Sequence, residues 1–308
     1  MRVIKYKKSI KIISLITVFS ILTGCSITLM DPKGAISVEQ KKLIITSVTL
    51  MLIIVIPVIF MTIFFAIKYR ENNKYATYRP NWDKSHKIEL FCWTIPIFII
   101  FILAIITWKT THKLDPYKPL INKKNPITIQ VIASDWKWIF IYPEKNIATI
   151  NEIAFPINVP INFKVTSASV MNSFFIPALG SQIYAMAGMQ SKLHLIANKP
   201  GIYKGFSSSY SGHGFSDMKF NVITTINKKS FEKWIEKVKK SKKNINSISQ
   251  FNELAKPSYN VDVTYFSNVK ANLYEDIISK FGHTHHIQNT HQIINSKQHS
   301  LQKKQKNK

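Results

Sequence analysis

The chain has 308 residues, enough for two ordinary domains at roughly 100–200 residues each. Lys and Arg total 42 against 16 Asp and Glu, a formal charge of +26, yet 46% of residues are hydrophobic. So much apolar content excludes a disordered polyelectrolyte, and the two cysteines exclude both a disulfide scaffold and a four-cysteine metal site.

In chain order, Arg2, Lys5, Lys7, Lys8 and Lys11 precede an apolar run, Ile12–Leu22, that ends in Leu22-Thr23-Gly24-Cys25. This predicts a secretory signal over residues 1–24, too short to span a bilayer comfortably. Small residues before a cysteine resemble the lipobox of bacterial lipoproteins, which makes Cys25 the expected acylated first residue, anchored at the outer face of a cytoplasmic membrane. The alternative is an uncleaved signal with an idle cysteine. Residues 25–42 form an outer lead-in.

Leu43–Ile67 is uncharged, about 37 Å long as a helix, and Leu90–Trp108, within a second predicted span at 88–108, is uncharged over about 28 Å. Both match a hydrocarbon core of about 30 Å, and Pro57 and Pro96 are tolerable where neighbours satisfy the freed carbonyls. The connecting loop, residues 68–87, carries Lys68, Arg70, Lys74, Arg79, Lys84 and Lys87 against Glu71 and Asp83, which places it in the cytoplasm. Glu89 stands at the cytoplasmic mouth of the second span, either as a solvated interfacial carboxylate or as an acid on a partner's proton path. Cys92, within that span, reads as a small packed side chain. No nucleic-acid partner is expected: only Arg2, Arg70 and Arg79 are arginines, and base readers rely on the guanidinium fork.

Past Pro116 and Pro119 the hydrophobic period becomes two. Ile127, Ile129 and Val131 alternate, as do Trp138, Phe140 and Tyr142, the long series from Ile153 to Val165, and Met218, Phe220 and Val222. Pro200-Gly201 suits a type II turn. Residues 109–227 therefore read as an outer domain built on a small β-sandwich or Greek-key barrel. Residues 228–281 read as a helical extension: Ser230 caps a first helix with Phe231, Trp234, Ile235 and Val238 on one face, and Ser247/Gln250 and Asn272/Glu275 have capping-box spacing. Residues 282–308 are rich in Lys, Gln, Asn and His with little to bury, and are expected to be disordered, with His283, His285, His286, His291 and His299 as no more than adventitious metal ligands.

Several segments, in this order, resemble subunit 2 of the haem–copper respiratory oxidases, and within that family the copper-less quinol-oxidase branch, the cytochrome bo type of proteobacteria. They are the lipobox, Asp31-Pro32-Lys33-Gly34, Trp93-Thr94-Ile95-Pro96, Thr107-Trp108-Lys109-Thr110-Thr111-His112, and the run Asp135-Trp136-Lys137-Trp138 to Pro143. Met171-Asn172-Ser173-Phe174-Phe175-Ile176-Pro177, Gly180-Ser181-Gln182-Ile183-Tyr184, Tyr210-Ser211-Gly212 and Phe266-Ser267-Asn268 follow. The resemblance implies a two-helix transmembrane hairpin, an outer cupredoxin-like Greek-key sandwich and short C-terminal helices: an α+β membrane protein.

In copper-bearing relatives one loop reads Cys-x-Glu-x-Cys-Gly-x-x-His-x-x-Met, with a further histidine upstream, and holds a binuclear copper centre. Here the loop runs from Ser207 to Met218: Ser207 and Ser211 stand at the cysteine positions, Ser209 at the glutamate, Phe215 at the histidine and Asn172 at the upstream histidine; only Met218 is kept. A neutral hydroxyl is a poor, hard donor for copper, phenylalanine donates nothing, and one thioether cannot hold two ions. His213 and His194 read as surface and strand histidines. Trp136 and Trp138 match an aromatic run that helps electron entry in the copper-bearing relatives, and read here as packing residues.

The resemblance thus implies a subunit with no metal and no catalytic residue of its own in a proton-pumping ubiquinol oxidase of the respiratory chain. Haems and copper would reside in partner subunit 1, where ubiquinol is oxidised and O2 reduced. Subunits 3 and 4 and membrane lipid would be further partners, and no soluble cytochrome c is expected as donor. The competing readings are a cytochrome c oxidase subunit 2 with binuclear copper and an envelope lipoprotein with no redox partner.

Overall fold

A computed structural model of the chain describes residues 28–71, 73, 82–120 and 124–281. The predicted signal and Cys25, Lys74 and Arg79 of the basic loop, and the histidine-rich tail lie outside the described residues.

Two long helices come first, α1 (Ala35–Lys68) and α2 (His86–Lys113). Each extends beyond its uncharged stretch, because the flanking polar residues find partners. Lys113 Nζ of α2 lies 2.8 Å from Glu39 Oε2 of α1, which ties the two helices together at their outer end, and Lys42 Nζ, also on α1, lies 3.4 Å from Glu39 Oε1. Within the apolar stretch of α1, the hydroxyls of Thr49 and Thr62 donate to the carbonyls of Ile45 and Val58, so neither is left bare. The apolar side chains point outward: Phe60 is 69% exposed and Leu90 70%, which identifies these as lipid- or partner-facing helices, not the core of a soluble bundle.

The head of α1 is welded to the outer domain. Lys33 N donates to Ala178 O (2.9 Å), Ala35 N to Ile196 O (3.0 Å), Ser37 N to Leu179 O (3.2 Å) and Asn198 N to Lys33 O (2.7 Å). Ser37 Oγ, fully buried, accepts from Gly34 N at 3.0 Å and reaches Ala178 O at 2.9 Å. The first turn's free N–H groups are thus satisfied by another part of the chain. Only glycine fits at position 34, since a Cβ there would lie 2.5 Å from Leu179 O. The opposing Gly180 sits at φ +137, with Ile36 Cγ2 2.7 Å from where its Cβ would be.

The outer domain is a cupredoxin-like Greek-key sandwich. Its strands are β1 (Ile127–Ser134), β2 (Lys137–Tyr142), β3 (Ile147–Ile150), β4 (Glu152–Pro156), β5 (Ile161–Ser167), β6 (Asn172–Phe175), β7 (Ile183–Ala185), β8 (Ser191–Leu195), β9 (Gly201–Ser207), β10 (Lys219–Thr225) and β11 (Thr264–Phe266). One sheet has the order β11-β3-β2-β1-β5-β8, the other β4-β10-β9-β6-β7. β1 pairs in parallel with β5, and β10 with β4, and every other neighbouring pair is antiparallel. Between the sheets lie Trp138, Phe140, Phe163, Phe174 and Phe220, the last two stacked at 5.2 Å and 7°.

The C-terminal extension is part of this fold. It contains α3 (Lys228–Lys239), α4 (Ile248–Leu254), β11 and a helical stretch at residues 273–281. β11 lengthens the first sheet beside β3, while Ile245, Phe251, Val269, Leu273 and Ile277 cover the sheet's back, burying Ile132, Ile139 and Ile141 in a second core. α3 docks through Glu152, whose Oε1 accepts from Trp234 Nε1 (2.9 Å) and Tyr265 OH (2.6 Å).

Four local expectations need correction. The cap of α3 is Asn227, whose side chain accepts from Ser230 N, and not Ser230. Ser247 does cap α4, but Gln250 reaches back to Asn246 N, and Asn272 sits at φ 59, outside the extended N-cap conformation. Gly201 opens β9 at φ +154, far from the +80° region of a type II turn.

Burial raises the pKa of Tyr142, Tyr265 and Tyr274 above the ordinary phenol value of 10.0, reinforced at Tyr265 by its hydrogen bond to Glu152. The folded chain therefore keeps neutral phenols that the unfolded chain ionises. Stability from this source is complete below about pH 10 and falls as pH rises further. Denaturant unfolding of the full chain in detergent at pH 9 and 11 is expected to show this loss, with a shallower pH slope in Tyr265→Phe.

Candidate functional site

The residues at the copper-ligand positions converge at one end of the sandwich. Asn172 opens β6, Ser207 closes β9, and Met218 follows a short 3-10 turn at Phe215–Asp217; all three are at most 2% exposed. Pairing of β6 with β9 brings Asn172 and Ser207 together, and Ser207 N donates to Met218 O at 3.2 Å.

Their contacts are those of a hydrogen-bonded polar cluster. The Ser207 hydroxyl has Asn172 Oδ1 at 3.2 Å and Ser209 O at 3.1 Å as acceptors, and accepts from Ser173 N at 3.4 Å. Asn172 Nδ2 donates to Val170 O (3.0 Å). Beside them, Ser208 Oγ donates to Ser173 Oγ (2.9 Å), and both hydroxyls lie within reach of Gln182 Oε1. Next to Gln182, Ser181 Oγ accepts from Gln40 Nε2 of α1 at 3.3 Å, so the cluster runs up to the helix head. Ser173, Ser208 and Gln182 escaped the sequence reading, although the serine run 207–209 was a visible signal.

The donor set does not suit binuclear copper. Ser211 Oγ is buried without a hydrogen-bond partner among the described residues, Phe215 packs edge-on against Tyr210 at 5.7 Å, and Asn172 already uses both ends of its amide. What remains is one thioether, and soft copper needs thiolates and imidazoles. Among the described residues no group of three His, Cys, Asp or Glu could hold a metal ion. His213 is exposed, and His194, buried on β8, has Nδ1 at 3.0 Å from Pro116 O, where it secures the chain leaving α2.

The two tryptophans separate. Trp138 is fully buried against Phe174 and Phe220, with Nε1 donating to Met218 O at 3.4 Å. Trp136, in the β1–β2 turn, sits at φ 68, a conformation that costs a bulky residue about 1–3 kcal/mol. Its indole lies on the Ser207–Met218 loop: Nε1 donates to Ser211 O at 2.9 Å, and a Cβ on Gly214 would fall 2.5 Å from Trp136 Cδ2. Lys137 points to the other face of the hairpin, where burial holds its ammonium below the ordinary pKa.

Glu89 lies apart from this cluster, in the first turn of α2, exposed and 3.7 Å from His86 Nδ1. Cys25 is outside the described residues. Cys92, read as a packed side chain, is instead exposed on α2, because that face has no neighbour within the chain.

Comparison with known proteins agrees with this architecture. Residues 143–225 match the family model described as "Cytochrome C oxidase subunit II, periplasmic domain", and residues 239–285 match "COX Aromatic Rich Motif". The cytochrome bo(3) ubiquinol oxidase subunit 2 of Buchnera aphidicola subsp. Baizongia pistaciae is 53% identical over 91% of this chain and 98% of its own length. That of Pseudomonas aeruginosa is 54% identical over 85% and 79%. The quinol oxidase subunit 2 of Bacillus subtilis is 34% identical over 85% and 81%.

Full-length chain incubated with copper and then a mild chelator is expected to retain no stoichiometric metal. Electron paramagnetic resonance checks this: a chelator-resistant mixed-valence signal would contradict the donor argument.

Proposed function

Since the chain belongs to the family of subunit 2 of the cytochrome bo(3)-type ubiquinol oxidases, we propose that it is the non-copper subunit 2 of a proton-pumping ubiquinol oxidase of the aerobic respiratory chain. In this reading a haem–copper subunit 1 oxidises ubiquinol and reduces O2 to water, and subunits 3 and 4 complete the assembly. The observation that carries it is the replacement of every thiolate and imidazole of the copper loop by Ser207, Ser211, Asn172 and Phe215. Without a relay of soft donors the outer domain has no centre to accept single electrons from a soluble cytochrome, so a lipid-soluble two-electron donor must react within the membrane subunit.

The chain's own contribution is then mechanical and electrostatic. The outward-facing apolar side chains of α1 and α2 supply a membrane surface for subunit 1, and the weld at Gly34–Ser37 holds the sandwich above it on the periplasmic side. Acylation of Cys25 would add a lipid anchor at the same side of the membrane, each buried methylene contributing about 0.8 kcal/mol. In this reading Glu89 gathers protons for a channel of subunit 1; its exposure in the first turn of α2 beside His86 supports that role.

Solubilised in mild detergent, the chain should bring down a haem-bearing membrane subunit in a complex that oxidises ubiquinol and leaves reduced cytochrome c untouched. Cytochrome c oxidation, or purification without haem, would overturn the proposal. In the reconstituted complex Glu89→Ala is expected to lower turnover and proton pumping several-fold while subunit assembly is retained. Unchanged proton pumping would remove Glu89 from the path.

A further inference from the structure

The Ser207–Met218 loop cannot draw rigidity from a metal, yet it is closely ordered by internal bonds: Phe215 N to Gly212 O, Asp217 N to Gly214 O, and Ser208 N to Ser173 O, all at 3.1–3.2 Å. Something must hold the outer half of the loop, where the buried polar cluster of Asn172 and Ser207 does not reach. Trp136 covers it. The indole is seated over Gly212 and Gly214, with Gly212 at φ +108 and its virtual Cβ 3.1 Å from the ring. Both glycines leave room for the ring to lie flat on the backbone.

The other side of that indole is covered by the C-terminal extension. Tyr259 stacks on Trp136 with centroids 4.8 Å apart and planes inclined at 22°. The segment carrying Tyr259 is strapped to the same β1–β2 hairpin from several directions. Ser134 Oγ donates to Ala255 O (3.0 Å), Lys137 Nζ to Lys256 O (2.7 Å) and to Ser258 Oγ, and Ser258 N to Asp135 O (3.2 Å). Asn151 Nδ2 donates to Val261 O (2.7 Å). The buried ammonium of Lys137 therefore gives two hydrogen bonds to the strap, and the left-handed backbone at Trp136 turns the indole toward the loop while Lys137 turns the other way.

We infer that Tyr259 is a positioning residue: through Trp136, the C-terminal extension sets the conformation of the Ser207–Met218 loop and replaces the cross-link that the loop lacks the ligands to form. Hairpin, loop and extension form one stack, Tyr259 on Trp136 on Gly212–Gly214, with the strap bonds fixing the outermost ring. This goes beyond the proposed function and does not rest on the identity of the electron donor.

The test is hydrogen–deuterium exchange on the intact detergent-solubilised complex, read on fragments covering residues 207–218 and on β10. Tyr259 is 56% exposed, so its truncation leaves the cores intact. Tyr259→Ala should speed exchange of the Ser208, Phe215 and Asp217 amides by about tenfold, the size of one lost aromatic stack, with β10 unchanged. Tyr259→Phe should restore the wild-type rate, because the ring and not the hydroxyl makes the contact. Exchange in the loop that stays at the wild-type rate in Tyr259→Ala would overturn the inference, as would an equal acceleration of loop and β10.

Discussion

The join between the head of α1 and the sandwich is the constraint on which the rest of this structure depends. A transmembrane hairpin connected to an outer domain only through the segment after α2 would leave that domain free to tilt. Instead, the backbone of residues 33–37 is taken up by the carbonyls of Ala178, Leu179 and Ile196, and Asn198 donates back. Each such bond has a modest net worth, about 1 kcal/mol, but together they satisfy donors that a helix end would otherwise leave unpaired beside buried apolar surface. Close approach requires glycine on both sides of the join: Gly34 lies against the backbone of Leu179, and Gly180 against the side chain of Ile36. The consequence is orientation: the residues just beyond Gly180, Ser181 and Gln182, connect Gln40 of the helix to the serine cluster at the end of the sandwich.

That cluster shows how a buried pocket can be closed without a metal. A buried place that lacks thiolates and imidazoles has two options, an apolar filling or a closed polar network, because a half-satisfied network is worse than either. The chain uses the second. Asn172, Ser173, Ser207, Ser208 and Gln182 satisfy one another on the inner side, while Phe215 lies edge-on to the exposed Tyr210. Ser211 has a buried hydroxyl with no partner among the described residues, and its carbonyl, not its hydroxyl, makes the contact here by accepting from Trp136.

The sequence carried the architecture in physical signals of unequal clarity. Uncharged runs of bilayer length marked α1 and α2 directly, but the polar first turns of α1 were invisible because their stability comes from distant carbonyls at 178, 179 and 196. The alternation from Ile153 to Val165 keeps one spacing throughout, yet β4 and β5 belong to opposite sheets. The period survives the crossover because both strands face the same inter-sheet core, and Asn158 at φ 55 makes the break that periodicity cannot register. At the site, residue chemistry was enough to reject copper, since donor type is a property of sequence. The network that replaced it was not legible, because Gln182 and Ser173 meet Ser208 only through the pairing of β6 with β7 and β9.

The extension was the least legible part, and the reason lies in β2. Lys137–Tyr142 is buried along its whole length, with Trp138, Phe140 and Tyr142 facing one core and Ile139 and Ile141 the other. A strand apolar on both faces needs cover on both, and a two-sheet sandwich supplies only one side. The run Trp138-Ile139-Phe140-Ile141-Tyr142 therefore already required another layer, and the helices and β11 of the extension are that layer. At the turn into this strand Trp136 and Lys137 point to opposite sides, one onto the Ser207–Met218 loop and the other into the strap. Burial of β2 on its second face and closure of the metal-free loop are thus consequences of one arrangement, in which a layer added behind the sheet reaches around the hairpin to the front.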